Sequence, residues 1–167
     1  MGLLGVVDVL VCRPLLSPKS RYFCLHTVAN VVSAVASFPD VLRVLADPLH
    51  AFSGPSATML ANSAVISIHL YHCLFFKLQP GDLFHHAVFV TILSGFAIPF
   101  KHVGGVSNNF GCFFLSGLPG GLNYAMLVLV KEGRMTSLYQ KGWDAWINTW
   151  LRGPPMSVYA FLQVSLL

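Results

Sequence analysis

Two apolar runs, Ala57 to Phe76 and Phe84 to Phe100, are joined by a short polar junction, and this arrangement restricts the chain more than any other feature. Runs of about 17–20 apolar residues have the helical length that crosses a hydrocarbon core about 30 Å thick. In such a core every backbone N–H and C=O must be satisfied within the protein, which leaves helices or a closed barrel. The junction and the turn before it, from His69 to His86, hold four of the seven histidines together with Lys77 and Asp82. Charged residues are only 10% of the chain, so titratable groups set beside spanning helices imply partners or a purpose.

The rest of the composition agrees. Hydrophobic residues make up 55% of the chain and the mean hydropathy is +0.68. Soluble domains run at about 45–50% apolar and about 25% charged. A length of 167 residues suits one unit, so residues 1–167 are expected to form a single domain. The net charge of +4 comes from basic residues scattered singly between apolar runs. That pattern excludes a nucleic-acid surface and suits the basic loops of a membrane protein. Cys12, Cys24, Cys73 and Cys112 have no Cys-x-x-Cys spacing and read as small buried thiols.

Taken in order, the first run, residues 1–12, is too short to span alone and lacks the basic start and cleavage pattern of a signal peptide. Tyr22 to Phe38 is long enough to cross, with Pro39 expected to end or kink it. Pro39 to Ala46 then reads as a short surface helix. Ser56 is the expected cap of a spanning helix over Ala57–Phe76, whose Asn62, His69 and His72 fall within about 80° of one another as an inward polar stripe. Asp82 follows the Gln79-Pro80-Gly81 turn as the expected N-cap of the next helix, which Gly95 and Pro99 bend or end.

Lys101-His102 and Gly104-Gly105 read as a loop. The span Ser107 to Lys131 carries Asn108, Asn109, Pro119 and several glycines, and is expected to be a broken helix lining a cavity. Close packing through its small residues is the alternative. Trp143, Trp146, Ile147, Trp150 and Leu151 recur at helical spacing as an interfacial helix, stopped by Gly153-Pro154-Pro155. Met156 to Leu167 is again short for a span. With alternating crossings, one side collects Arg13, Lys19, Arg21, Lys77, Lys131, Arg134, Lys141 and Arg152, and the other Arg43 and Lys101. The richer side, which includes the junction, is therefore expected to face the cytoplasm or a mitochondrial matrix.

At the junction, Asp82 stands three residues before His85 and four before His86, so its carboxylate can approach either ring on a helix. A carboxylate that fixes the tautomer leaves the other ring nitrogen free as a base or nucleophile. The structural alternative has Asp82 as a cap and the histidines bonded to headgroups. A metal is not expected: His69-x-x-His72 is a pair usable by a single ion at best, and the boxes of membrane di-iron enzymes are absent.

Asp82-Leu-Phe-His85-His86, after an apolar helix and a lysine-containing turn, resembles the histidine-pair motif of the TLC domain, the membrane fold of ceramide synthases and their relatives. The likeness extends through Ser107-Asn108-Asn109-Phe110 and Leu115 to Pro119. In catalytic members the paired histidines serve transfer of a fatty acyl group from acyl-coenzyme A to a sphingoid amine, which would cast His85, His86 and Asp82 as catalytic. The synthases place an acidic pair in the following helix, whereas Ser116 to Asn123 contains no carboxylate. The resemblance therefore implies a non-synthase TLC protein.

The expectation is an all-α, polytopic transmembrane bundle of about five to six helices, TLC-like, with curtailed first and last helices. It would bind, sense or move a lipid in a cavity lined by Asn62, His69, His72, Asn108, Asn109 and Pro119, with no cofactor. Its place would be the endoplasmic reticulum or, failing that, the inner mitochondrial membrane. The alternatives are an acyltransferase using acyl-coenzyme A as substrate, and a non-catalytic subunit whose short termini are covered by other membrane subunits.

Overall fold

A computed structural model describes residues 1–56, 58–92 and 101–165. Among them the chain is all helix, with no strand. Seven helices follow one another: α1 (residues 2–15), α2 (Pro18–Ala46), α3 (Pro48–Phe52), α4 (Leu60–Phe75), α5 (Pro80–Ile92), α6 (residues 101–131) and α7 (residues 137–165). The far end of the expected Phe84–Phe100 helix, with Gly95 and Pro99, lies outside the described residues.

The number and length of the helices depart from expectation for one recurrent reason. Prolines that were expected to end helices are absorbed within them. In an α-helix, a proline ring clashes with the carbonyl four residues earlier and leaves it without a partner. At Pro14, Pro119 and Pro154 the helix widens by one residue just before the proline. Arg13 N–H bonds to Asp8 O, Leu118 N–H to Phe113 O and Gly153 N–H to Asn148 O, each spanning five residues. These wide turns, Asp8–Cys12, Phe113–Gly117 and Ile147–Arg152, contain the carbonyls of Leu10, Leu115 and Trp150 that Pro14, Pro119 and Pro154 would otherwise strike. So α6 is unbroken at Pro119 and α7 passes through Gly153-Pro154-Pro155; the expected loop at 101–105 is helical as well. Pro39 is likewise inside α2, where the Ser37 hydroxyl donates to Ser33 O at 2.6 Å. The separate 39–46 helix does not exist.

α2 is the central post, packed against α1, α3, α4 and α6. Its contact with α6 is close. A Cβ on Gly117 would lie 3.1 Å from the Ala34 Cα, and one on Gly120 would lie 2.8 Å from Asn30 Nδ2. The small residues of α6 thus serve close helix packing, the alternative to a broken helix. At its end, Gly133 (φ +72°) turns the chain, with Arg134 N–H bonded to Leu129 O and Gly133 N–H to Val130 O. That reversal carries Glu132 to Ser17 and Ser20 at the start of α2.

The two ends of the bundle have separate cores. Leu4, Cys12, Leu25, Ala29, Ile68 and Tyr71 fill one end, and Val41, Val44, Phe52, Val106, Phe110, Phe113 and Leu162 fill the other. Polar residues run between them on the inside. On α2, His26, Asn30, Ser33, Ser37 and Asp40 are all buried, at intervals of four and three. On the opposite face Val31, Val35, Phe38, Leu42 and Leu45 are all exposed, at the same intervals. This is the reverse of a helix on a soluble protein. Two helical stretches, Pro18–Ala46 and Gly105–Lys131, are long and apolar enough to cross a membrane.

Candidate functional site

Five histidines meet where α2, α4 and α5 converge. His26 comes from α2, His69 and His72 from α4, and His85 and His86 from α5. The three-residue spacing of His69 and His72 puts both on the inner face of α4, where both are buried. Adjacent residues on a helix point about 100° apart, so His86 is turned inward and buried while its neighbour His85 is exposed.

The hydrogen bonds around these rings come from helix backbones. His86 Nδ1 lies 2.6 Å from Asp82 O, and His69 Nδ1 lies 2.6 Å from Val65 O. A carbonyl oxygen only accepts, so each Nδ1 carries the proton and each Nε2 presents a lone pair. His86 Nε2 faces His72 Nδ1 at 3.5 Å, and His69 Nε2 faces His85 Nε2 at 3.4 Å. Tyrosines cover the cluster on two sides. Tyr22 stacks on His72 with centroids 3.9 Å apart, and Tyr124 stacks on His26 at 4.2 Å with the rings 5° from parallel. Among the described residues, the buried Nε2 atoms of His26 and His72 have no hydrogen-bond partner.

A cavity of about 460 Å³ opens against this cluster. Its polar wall is His26, Asn30, His69, Asp82, His85 and Tyr22, and its far wall is built by α6 and α7 through Leu115, Ser116, Asn123, Tyr124, Leu127 and Arg152. The wide turn before Pro119 belongs to that far wall, so the unusual segment of α6 does face a cavity although the helix is continuous. Asn123 accepts from Gln140 at 2.6 Å, which ties α6 to α7 beside the opening.

The expected site residues are distributed unevenly. His69, His85 and Asp82 line the cavity; His72 and His86 lie in the histidine cluster behind it. Asp82 does not hold a ring of the His86 imidazole through its carboxylate. That carboxylate accepts from the Gln79 N–H at 3.3 Å, closing the first turn of α5, and only its backbone carbonyl reaches His86. Asn62 is buried in packing, accepting from Cys112 Sγ at 2.9 Å. Asn109 is buried at the opposite end, where its amide reaches Asp40 at 2.8 Å and Ser56 at 2.6 Å. Ser56 therefore belongs to that knot and to the turn at Thr58; the described helix α4 begins only at Leu60. Pro119 is buried, and Asn108 is half-buried away from the cavity wall.

The sequence reading passed over His26, Tyr22, Tyr124 and Arg152. The signal for His26 was available: it starts the series His26, Asn30, Ser33, Ser37, Asp40, whose spacing marks a polar face on an otherwise apolar helix. At the ends of the bundle two carboxylates, half-buried Glu132 and exposed Asp47, are held by hydrogen bonds. The Ser20 hydroxyl and the Ser17 N–H hold the Glu132 carboxyl below its usual range. The His50 ring and backbone N–H do the same for Asp47.

No protein-family model matches the chain, and neither the curated proteins nor the solved structures contain a match to it.

Proposed function

We propose that this chain is an integral membrane protein of TLC type that holds, senses or moves a lipid in the cavity between α2, α5, α6 and α7. The observation that carries the reading is the inside-out distribution of polarity on α2. Buried His26, Asn30, Ser33, Ser37 and Asp40 stand opposite exposed Val31, Val35, Phe38, Leu42 and Leu45. In water that arrangement places the apolar face on the wrong side; in a hydrocarbon solvent it is the favourable one. Trp143, Trp146 and Trp150 are exposed on α7 while Ile147 is buried beneath them, which suits indoles held at headgroup level.

The cavity supports a lipid rather than a small polar metabolite. The lining offers both polar groups (imidazoles, the Asp82 carboxylate and the Arg152 guanidinium) and the apolar Leu115, Leu127 and Phe23. An amphipathic ligand matches both. Acyl transfer is the lesser reading, because the α6 segment that faces the histidines, Ser116 to Asn123, has no carboxylate. In this proposal the basic loops lie on the cytoplasmic or matrix side.

Two measurements test it. The protein should stay with the membrane pellet after alkaline carbonate extraction. Purified in detergent and offered a photoactivatable acyl lipid, it should be labelled on α2 or α6. Ser116→Phe, which fills the cavity, should lower labelling about tenfold, equivalent to about 1.4 kcal/mol. Equal labelling of both proteins would exclude this cavity as the lipid site. Product from acyl-coenzyme A and a sphingoid base that disappears in His85→Ala/His86→Ala would favour the acyltransferase instead.

A further inference from the structure

We infer that His26, His72 and His86 form a binding site for a divalent first-row transition metal. One ring nitrogen from each lies within 4.8 Å of the others, and the three side chains come from three different helices. All three are almost completely enclosed, at 2%, 0% and 1% exposure. Nitrogen ligands bound at about 2.0–2.1 Å in a tetrahedron stand about 3.4 Å from one another. His86 Nε2 and His72 Nδ1 already stand 3.5 Å apart. His26 presents its ring nitrogen within 4.8 Å of both, so closing the set asks for movement of its ring, whose χ2 is a soft torsion for an imidazole.

Two further observations point to an ion. The proton of His86 is committed at Nδ1 to the Asp82 carbonyl, which fixes Nε2 as a lone pair aimed at His72. A second nitrogen anchored to a backbone carbonyl is the usual support of a metal-bound histidine. The Nε2 atom of His26 is buried with no hydrogen-bond partner among the described residues, a costly arrangement unless something else occupies the space beside it. The donor set also selects the metal class. Imidazole without thiolate or carboxylate suits zinc, copper, iron, cobalt or nickel, and not magnesium or calcium. The expectation of no metal rested on the His69-x-x-His72 pair; His26, which α2 brings beside His72 and His86, changes the count.

This site does not depend on the lipid reading, because metal content can be measured on delipidated protein. The full chain, purified in detergent and stripped with chelator, is titrated with Zn²⁺ and with Co²⁺. The expected result is one equivalent bound and a tetrahedral Co²⁺ visible spectrum. His26→Ala and His86→Ala should weaken binding about hundredfold, and His50→Ala should leave it unchanged. His72→Cys guards against loss by misfolding: a new sulfur-to-cobalt charge-transfer band should appear, which arises only if residue 72 is a ligand. Less than a tenth of an equivalent on the parent protein would overturn the assignment. So would a His72→Cys spectrum lacking the sulfur band, or binding that survives at His26→Ala but is lost at His69→Ala.

Discussion

Arg21 and Tyr22 are neighbours on α2, and Tyr71 and His72 are neighbours on α4, yet each pair is divided between two buried polar clusters of opposite design. Arg21 and Tyr71 turn to Asp8 of α1. The guanidinium forks onto both carboxylate oxygens, the Tyr71 hydroxyl donates to Oδ2 at 2.7 Å, and Arg13 adds a cation at 3.6 Å. Tyr22 and His72 turn the other way, into a cluster of imidazoles where no carboxylate bonds His26, His72 or His86 among the described residues. The first cluster is complete and serves to fasten α1 to α2 and α4. The second leaves the Nε2 atoms of His26 and His72 buried without a partner among the described residues, which is how a proposed binding site differs from a structural bolt.

The contrast breaks most easily at Asp8. Asp8→Ala strips an enclosed acceptor from Arg21 and Tyr71 at once, and should cost about 3 kcal/mol, read as a lower melting temperature in detergent. Loss of less than about 0.5 kcal/mol would mean that water enters this knot and that it is no bolt. His72→Phe is the matching change in the other cluster. It keeps a ring under Tyr22 and trades one long contact to His86 for removal of a buried Nε2 that lacks a partner, so chelator-treated protein should melt within about 1 kcal/mol of the parent. A drop as large as that of Asp8→Ala would show that the imidazoles hold the fold themselves.

The smallest effect concerns acid. Because the native environment depresses the Glu132 carboxyl, its contribution to stability is present above the ordinary glutamate value of 4.5 and is lost as pH falls through the lower native value. Glu132→Gln should lower stability slightly at neutral pH and flatten that acid limb, so that the two proteins converge at low pH. An unchanged acid limb would place the pH sensitivity elsewhere, with Asp47 as the next candidate.

Much of this was visible in the chain and much was not. The apolar run over Tyr22–Phe38, the Asn62, His69, His72 stripe and the Asp82-x-x-His85-His86 junction follow from spacing alone, since the helical period fixes which side chains share a face. The element boundaries failed at proline. Propensity treats Pro14, Pro119 and Pro154 as stops, but a single wide turn before each one removes the clash, and packing against α2 and α7 makes the widened helix worth keeping. The role of Asp82 toward His86 changed for a similar reason: spacing permits its carboxylate to reach that ring, while it closes the first turn of α5 and only its backbone carbonyl meets the imidazole.

The all-helical architecture was thus determined by the sequence itself, because long apolar runs with few charges admit little else that satisfies their backbone. The site was decided by tertiary structure. His26 stands 43 residues before His69 in the chain, at positions the sequence assigns to separate helices, and only the packing of α2 between α4 and α6 brings it to His72 and His86. Periodicity reports which face of its own helix a residue occupies; it carries no information about what stands opposite.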